Sequence, residues 1–524
     1  MNKIKISIFQ GFSCFVCILL FALPLVMAQD ESPMRVQIQS FDIQGNTVIS
    51  TSILENVLDS FMARHFPDAM LNFADMQLLT DRITLLYKEQ GYFLARCYIP
   101  KQDIKDGVLK LMVSEGILDK IQVTGNTYYS DHLLKGYFEI DQTNYVIHEK
   151  HLEKGLLLVN DLPENKTELL LTKGEKQGSV DIVLKNTDQP AHQFQLSYNN
   201  YGAENISQNR YSLSGQITDP FGGMTLLLKG ISGDNPSDLF IGYANLDIPI
   251  NYYGTYAEFS FIKSSSQLGQ EFSVLSIDGQ TEMYGVDMKH PIVLKRDMRV
   301  NATLGIFHIL SETTALQSFS IGRYQLNSIK AAIDLDMVDH FFGKTHGQCT
   351  YQISFVDKGP KIEKTNKAFQ KISLTGSRLQ QIKRYSLLAF RLSGQWSSDD
   401  LIPLDQMAIG GYEAVRGHQP SAYLGDMGAN ISLEWMFSPS SEKQYFGQPL
   451  SKLIQGGIFV DHGWVRLNSE PEIGPQTKSL TGYGLGLRFF YNNYFSCFTD
   501  LAFPVNPEDN ADDIVLYFSA QGIF

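Results

Sequence analysis

Three things are scarce in this sequence: long apolar runs, cysteine and basic side chains. After residue 28, no segment reaches the ~18 consecutive apolar residues that a transmembrane helix needs, so a chain that crosses a membrane would have to do so with strands. The five cysteines follow no disulfide or metal-ligand spacing. The 43 basic residues are outnumbered by 56 acidic ones. This balance argues against nucleic acid as a partner, because nucleic-acid binding requires basic patches.

The sequence also lacks a catalytic constellation. His148 and His151 are three positions apart, whereas a zinc-binding His-Glu-x-x-His motif requires a spacing of four. The alternating glycines Gly482, Gly484 and Gly486 lie in a predicted strand and not in a phosphate loop before a helix. We therefore expect no enzymatic activity, no cofactor and no metal.

The N-terminus is organised as a secretory signal peptide. Lys3 and Lys5 precede an uncharged apolar stretch over 8–27, and the stretch closes on Val-Met-Ala, which suits signal peptidase. Cleavage would remove two of the 43 basic residues and none of the 56 acidic ones, which leaves a net charge of −15. A retained membrane anchor is the alternative. We predict a signal peptide over 1–28 and an exported chain. Its three remaining cysteines are expected to be isolated thiols: Cys97, Cys349 and Cys497.

A repeated motif indicates two tandem copies of a small domain. The run Phe-Asp-Ile-Gln-Gly-Asn-Thr at 41–47 recurs as Ile-Gln-Val-Thr-Gly-Asn-Thr at 121–127, with the two glycines 80 residues apart. The first copy is predicted to have the order β-α-α-β-β, with both helices on one face of the sheet, and the second copy ends likewise. We predict the two domains over 36–116 and 118–188. The predicted elements are helices over 51–64 and 73–90 and strands over 94–99, 108–114, 168–172 and 179–185.

From Gln193 onward the pattern predicts strands of about ten residues separated by turns. About 16 such segments follow one another to the C-terminus, as expected of an outer-membrane β-barrel. Over 427–437 apolar and polar side chains alternate, which is required when lipid lies outside and water inside. A soluble β-sandwich also alternates, but a second sheet must then cover each apolar face. We predict a 16-stranded antiparallel transmembrane barrel over 191–524. Its terminal Phe524 is the aromatic residue expected of a strand that the barrel-insertion machinery recognises.

Two short motifs lie within the predicted barrel. The first contains Val415-Arg416-Gly417-His418 and sits in the longest gap between predicted strands, over 397–426. The second is Phe-Val-Asp-His-Gly at 459–463, in a strand. Alternation places Phe459, Asp461 and Gly463 on the same side of that strand. An aspartate in a barrel wall is expected to face the lumen.

These motifs resemble the paired motifs of the two-partner secretion transporters, the TpsB family of ShlB- and FhaC-like proteins, which belong to the BamA superfamily. The resemblance covers nearly the whole mature chain and implies two POTRA domains before a 16-stranded barrel. It further implies that the loop over 397–426 folds into the lumen, where Arg416 at its tip pairs with Asp461. His418 stands where the family usually has an aromatic residue, so we expect a different packing of the tip.

Such a pair in a wet lumen would contribute about 1–3 kcal/mol, enough to bias a loop but not to lock it. Only residues 29–35 precede the first predicted strand, which leaves no room for the plugging helix of many relatives. Closure of the pore is therefore expected to rest on the loop alone. Other polar residues are candidates for lining the lumen, with ordinary hydrogen bonding of a barrel interior as the alternative: Glu434, Arg488 and Asp500.

The resemblance implies export of a TpsA-like partner exoprotein, such as an adhesin or a hemolysin, from the periplasm to the cell surface. The barrel would lie in the outer membrane, among lipid and lipopolysaccharide and after insertion by the barrel-assembly machinery, with the POTRA domains in the periplasm. The partner would dock on a free strand edge, with 168–172 and 179–185 as the candidates. A BamA- or TamA-like assembly factor and a passive porin are the alternatives. The former usually has three or more POTRA domains, and the latter needs no large periplasmic domain.

Overall fold

The computed structural model describes residues 34–139, 145–176, 178–269, 275–316, 319–358, 368–471, 475–507 and 512–524. The predicted signal peptide lies outside these residues, and so does most of the short segment at 29–35. No helix in the described ranges is long and apolar enough to cross a membrane. The chain divides into two compact units. One comprises residues up to 90 together with 94–115, and the other comprises 91–93 and 116–524.

The first unit is a small α+β domain. Its three-stranded sheet has the order β2-β5-β4, with β5 parallel to β2 and antiparallel to β4, and the short strands β1 and β3 pair with each other. Asn72 and Asp75 form a reciprocal capping box that starts α2. The elements are β1 (Val36–Gln37), β2 (Ser40–Gln44), α1 (Thr51–His65), β3 (Met70–Leu71), α2 (Phe73–Glu89), β4 (Arg96–Tyr98) and β5 (Val108–Ser114).

The second unit begins with a domain of the same element order. Its elements are β6 (Ile117–Thr124), α3 (Asp131–Gly136), α4 (Glu149–Val159), β7 (Asn165–Lys173) and β8 (Ser179–Asp188). The sheet order is β6-β8-β7. The expectation that 179–185 could be a free edge is therefore wrong, because β8 is hydrogen-bonded on both sides. Strand β7 lies at an edge. Strands β6 and β8 are parallel neighbours. The alternation of apolar and polar residues in β8 does not reveal this pairing.

The repeated Gly-Asn-Thr triplet has the same structural role in both copies. Gly45 and Gly125 adopt φ of +83° and +84°, a conformation that glycine accepts without strain. An ideal Cβ on Gly45 would lie 2.3 Å from the carbonyl oxygen of Val113, and one on Gly125 would lie 2.5 Å from that of Asn186. Both glycines therefore let the turn approach the last strand of their domain closely.

A carboxylate in each copy binds the threonine of this triplet. The backbone N–H of Thr47 donates to Glu115 at 2.7 Å. In the second copy, the N–H groups of Thr127 and Tyr129 donate to Asp188 at 2.6 and 2.7 Å. Burial by itself would raise the pKa of Asp188, but these donors outweigh it and hold the pKa below its usual range. The repeat thus marks a turn held to the end of the sheet by charge-assisted hydrogen bonds.

Beyond this domain, sixteen strands of the described chain close into an antiparallel barrel, in which each strand bonds its successor and β28 bonds β9. The prediction of a 16-stranded barrel is confirmed. Its strands are β9 (His192–Asn199), β10 (Arg210–Thr218), β11 (Thr225–Ser232), β12 (Leu239–Pro249), β13 (Tyr256–Gln267), β14 (Asp278–Leu294), β15 (Met298–Ala315), β16 (Phe319–Val338), β17 (Gly343–Lys358), β18 (Ala368–Lys383), β19 (Ser386–Trp396), β22 (Met427–Phe437), β25 (Ile454–Arg466), β26 (Thr477–Tyr491), β27 (Phe495–Val505) and β28 (Val515–Ile523). Short elements between them are β20 (Met407–Ile409), β21 (Tyr423–Gly425), β23 (Gln444–Tyr445), β24 (Gln448–Pro449) and α5 (Leu450–Leu453).

The two faces of the barrel wall differ as the alternation predicts. On β22, Leu433 and Trp435 are 41% and 50% exposed on the outer face, whereas Ser432 and Glu434 are buried on the lumenal face. The expectation of strands of about ten residues is wrong for β14 to β18, which have 16 to 20 residues. About ten residues suffice to span a membrane, so these strands extend beyond the bilayer.

The second small domain packs against the turns that connect β10–β11, β12–β13 and β14–β15. Tyr128 Oη donates to the carbonyl of Thr218 at 2.5 Å, and the rings of Tyr137 and Tyr252 meet edge to face at 5.4 Å. Two ion pairs join the same surfaces, which we call the rim contact: Asp161–Arg299 at 2.5 Å and Glu153–Arg296 at 3.1 Å. The three described cysteines are free thiols.

Candidate functional site

The loop over 397–426, between β19 and β22, folds back into the barrel. Its two legs, β20 and β21, pair antiparallel from Met407–Gly425 to Ile409–Tyr423. Beyond them, Gly410 and Gly411 adopt φ of +98° and +89° and turn the chain into the tip. We call this segment the inner loop and its residues 410–422 the tip.

Arg416 lies at the tip and is 1% exposed. Its Nε donates to Asp461 Oδ2 at 2.7 Å and its Nη2 donates to Oδ1 at 3.0 Å. The backbone N–H of Arg416 also donates to Oδ2, at 3.2 Å. The guanidinium and the carboxylate thus form the parallel two-bond geometry that gives an arginine pair both strength and direction.

Two further carboxylates of the wall meet the same guanidinium, and a second arginine bridges them. Arg416 Nη1 lies 3.3 Å from Glu434 Oε2 and 3.2 Å from Asp500 Oδ2. Arg488 bridges these two acids, at 2.6 Å from Glu434 and 2.5 Å from Asp500. We call these five residues the ionic cluster. It holds two guanidinium groups against three carboxylates.

The ionic cluster differs from the expected solvated pair, because each of its five side chains is less than 10% exposed. Burial of charge is costly unless every charge is paired and hydrogen-bonded. Here each carboxylate contacts at least one guanidinium, which compensates for the lost hydration. Loss of one partner leaves a buried charge uncompensated and costs about 3–5 kcal/mol. This cost exceeds the contribution expected above for an Arg416–Asp461 pair in a wet lumen.

Strand register relates the wall residues of the cluster to one another. Ser432, Asp461 and Gly482 are neighbours across β22, β25 and β26, and Asp500 of β27 pairs with Gly486. Sequence reasoning treated Glu434, Arg488 and Asp500 as separate lumenal residues. The signal that could have grouped them is that they and Asp461 all occupy lumenal positions, on four consecutive barrel strands.

Phe459 and Gly463 of the second motif shape the place where the tip sits. The guanidinium carbon of Arg416 lies 3.3 Å from the centroid of the Phe459 ring, a cation–π contact within the cluster. An ideal Cβ on Gly463 would lie 2.8 Å from Cγ2 of Val415, which is fully buried. The missing side chain at 463 therefore makes room for Val415.

The alternating glycines of β26 also leave room for packed groups, the tip at Gly482 and wall side chains at Gly484 and Gly486. An ideal Cβ would lie 1.9 Å from the carbonyl oxygen of Arg416 at Gly482, 2.4 Å from the Phe459 ring at Gly484, and 2.5 Å from an Asp500 oxygen at Gly486. We call them the glycine row. Sequence reasoning excluded a phosphate loop here but missed this role, which depends on what packs opposite the strand.

Comparison with known proteins gives the same overall organisation. The profile of the family "Haemolysin secretion/activation protein ShlB/FhaC/HecB" matches residues 178–489, more than half of the chain, and that of "POTRA domain, ShlB-type" matches 36–116. The chain belongs to the ShlB/FhaC/HecB family. It is an outer-membrane β-barrel transporter of the two-partner secretion type, with its POTRA region in the periplasm.

Relatives and solved structures of this family align over most of the chain. The heme/hemopexin transporter protein HuxB of Haemophilus influenzae (strain 86-028NP) is 23% identical over 91% of this chain and 84% of its own length. The hemolysin transporter protein ShlB of Serratia marcescens is 24% identical over 78% and 73%. The structure of CdiB from Escherichia coli superposes with a TM-score of 0.76 at 18% identity, covering 96% of this chain and 93% of that one.

His418 follows Gly417 in the tip and is expected to pack differently from an aromatic residue. It is buried, and its Nε2 lies 2.9 Å from the carbonyl oxygen of Thr481. The preceding Gly417 adopts φ of +94° and donates its N–H to Tyr517 Oη at 3.1 Å. Tyr412 stacks on Tyr201 at 3.7 Å. The tip is thus bound to β26 and β28 by polar contacts as well as by the ionic cluster.

Phe524, the C-terminal residue, closes the barrel. Its N–H donates to the carbonyl of Phe194 at 2.8 Å, and the N–H of Phe194 donates back at 3.0 Å. Its ring is 77% exposed. The role of Phe524 as an insertion signal stays a prediction.

Proposed function

We propose that this transporter exports a secreted partner exoprotein through the barrel lumen, and that the inner loop is the gate. The observation that carries this proposal is the ionic cluster, a buried charge network between a loop and four strands of the wall. Release of the tip transfers Arg416 and its carboxylate partners from protein into water. Hydration then offsets much of the lost pairing energy, so the gate can open without an external energy source.

We propose the free edge of β7 as the docking site of the partner, which would add a strand to the sheet. Alternation turns the backbone groups of Thr167, Leu169, Leu171 and Lys173 away from β8. The side-chain amide of Asn160 already occupies one of these positions, since it accepts from the N–H of Thr167 at 2.7 Å and donates to its carbonyl at 3.1 Å. The segment open to a partner strand is then 169–173.

The docking proposal is tested with the cargo itself. Comparison of the proteins secreted with and without this transporter identifies the cargo. A photoreactive aromatic residue is then placed at Leu170, which is 50% exposed on β7, and at Lys120 on the opposite edge strand as a control. We expect crosslinks to the cargo from position 170 and few from position 120. Equal crosslinking from both positions, or none from 170, would contradict the β7 edge.

The gate is tested with a disulfide between Val415→Cys and Gly463→Cys. The Cβ position of Gly463 lies 2.8 Å from Val415 Cγ2, so side chains at these two positions are in direct contact, as a disulfide requires. The native cysteines are replaced by alanine: Cys97, Cys349 and Cys497. We expect export to stop in the oxidised double variant and to return on reduction, while export by each single variant is the same under oxidising and reducing conditions. Undiminished export by the oxidised protein would rule out the gate.

Several finer features belong to the same proposal. We infer that 118–188 is a second POTRA domain, that the barrel spans 191–524, and that the signal peptide ends at residue 28. We infer that lipid and lipopolysaccharide surround the apolar outer wall and that the barrel-assembly machinery inserts it. We also infer that the chain has no catalytic role, consistent with a family of transporters. The cargo class is a large secreted protein; relatives in the family are named as transporters of hemolysin and of heme/hemopexin.

An assembly factor and a porin are less well supported. Membership of the ShlB/FhaC/HecB family argues against a BamA- or TamA-like assembly role. A passive porin would have no need for a loop buried against the wall by five charged side chains.

A further inference from the structure

The inner loop has a second attachment to the wall, separate from the ionic cluster. Leu401 and Ile402, near its start, are buried against Ile309, Leu326 and Phe369 on the lumenal face of β15, β16 and β18. Lumenal positions of such barrels are usually polar, so this apolar patch is an exception that the loop covers. We call the residues 401–405 the foot of the loop.

The polar end of the foot is bound by three neighbouring strands. Lys371 Nζ of β18 lies 2.8 Å from Asp405 Oδ1 and donates to the Asp405 carbonyl at 3.0 Å. Gln352 of β17 donates to the Asp405 carboxylate at 3.2 Å, and Gln395 of β19 donates to its carbonyl at 2.9 Å. The foot is therefore held by apolar packing and by polar contacts at once.

Asp426 joins the two ends of the loop. This carboxylate is 2% exposed. It accepts the N–H of Leu401 at 2.8 Å, the side-chain amide of Gln406 at 3.1 Å and the N–H of Asn468 at 2.8 Å. The return of the loop to β22 is thus bound both to the foot and to the loop that follows β25.

The foot and the tip contact different parts of the barrel wall. The foot contacts β15 to β19 and the tip contacts β22 and β25 to β28, the next strands around the ring. Their chemistry also differs. Charged groups regain hydration when they separate into water, whereas separation of Leu401 and Ile402 from their patch exposes apolar surface without compensation.

We propose that the foot and Asp426 form a fixed pivot, so that only the tip and the legs β20 and β21 move when the pore opens. The path for the cargo then forms along β22 to β28, and the wall at β15 to β18 stays covered. Asp405, Lys371 and Asp426 are positioning residues for this motion. The inference rests on the inner loop being the gate.

The test measures KCl conductance of the full chain in planar lipid bilayers, in the background without native cysteines. Arg416→Ala releases the tip, and Lys371→Cys with Asp405→Cys allows a short bis-methanethiosulfonate reagent to link the foot to the wall. We expect the released channel to keep its conductance within about twofold after linking. A matched control links Lys330→Cys on β16 with Asp287→Cys on β14, a lumenal ion pair of the same 2.8 Å length that includes no residue of the inner loop.

A tenfold or greater fall in conductance on linking the foot, with no fall in the control, would overturn the pivot and leave the gate intact. If Arg416→Ala conducts no more than the parent protein, the gate itself fails, and the pivot with it. Asp426 gives a second measurement. We expect Asp426→Ala, with Arg416 present, to raise the closed-state conductance about tenfold, and Asp426→Asn, which keeps one of the two acceptor oxygens, to raise it clearly less. Equal behaviour of these two variants would contradict a positioning role.

Discussion

The ionic cluster and the rim contact both use arginine–carboxylate pairs, yet the two sites place them in different surroundings. Arg416 and Asp461 are each 1% exposed and bonded twice. At the rim contact, Arg299 and Asp161 are 35% and 43% exposed. A buried, fully bonded network fixes a geometry and is costly to break, whereas an exposed pair contributes little. We infer that charge holds the inner loop, and that aromatic and backbone contacts hold the small domain to the barrel.

The largest effect is expected from Arg416→Ala, which leaves three carboxylates with one cation. A loss of about 3–5 kcal/mol in tip binding would shift the loop more than 100-fold toward release. The measurement is closed-state KCl conductance, which should rise strongly. Arg391→Ala is the matched control, because Arg391 faces the lumen and donates to Ser432 Oγ at 3.3 Å without belonging to the cluster. Equal conductance of the two variants would contradict a special role for the cluster.

Gly482→Ala is expected to displace the tip without altering any charge. The new Cβ would lie 1.9 Å from the carbonyl oxygen of Arg416, and overpacking of this kind costs about 1–3 kcal/mol. We expect faster modification of a cysteine introduced at Val415 by a water-soluble thiol reagent. Gly230→Ala on β11 is the control, since a Cβ there meets nothing within 4 Å. Unchanged reactivity in Gly482→Ala would show that the glycine row is not required for the tip.

At the rim contact, Tyr252→Ala should have the larger effect of the two substitutions considered there. Its ring packs edge to face on Tyr137 at 5.4 Å, and such pairs contribute about 0.5–1.5 kcal/mol beyond their buried area. Distances between spin labels on the small domain and on the barrel should broaden. Phe221→Ala, in a neighbouring turn where the ring is 73% exposed, should leave the distances unchanged. Equal broadening in both variants would indicate that the ring contact is not specific.

Arg299→Ala is expected to have the smallest effect, below about 1 kcal/mol and weaker still at high salt. Burial raises the pKa of Asp161, and Arg299 counteracts this rise. Without Arg299, the pKa of Asp161 in the docked state rises further, because only the burial remains. Docking then favours the protonated carboxyl group, so the rim contact should weaken as the pH rises through that pKa. The same spin-label distances, measured against pH, give the test. A larger broadening of the distances in Arg299→Ala than in Tyr252→Ala would show that the ion pair, and not the aromatic contact, dominates the rim contact.

Much of the architecture could be predicted because its signals are local. Alternation gave the barrel and its lumenal face, and the predicted starts of α1 at Thr51 and α2 at Phe73 agree with the structure. The motif resemblance placed Arg416 near Asp461. What could not be predicted depends on register and on packing between distant segments. Neither the two-residue alternation of the strands nor the composition shows which lumenal residues lie close together in the barrel.

Three findings show this limit. The apolar patch under the foot, around Leu326, looks in sequence like ordinary strand residues. The central position of β8 follows from a parallel crossover. The glycine row has meaning only once the groups packed against it are known, the tip at Gly482 and wall residues at Gly484 and Gly486. In each case the sequence does not show which other segment of the chain packs against these residues.

The origin of the cluster residues has a consequence for the order of barrel biogenesis. Its wall half comes from β22, β25, β26 and β27, which are among the last strands of the chain. The site that receives Arg416 is therefore incomplete until residue 500 has joined the sheet. In an unfinished barrel the inner loop would have no complete binding site and the lumen would stay open. Closure of the lumen against leakage across the outer membrane is therefore one of the final steps of assembly.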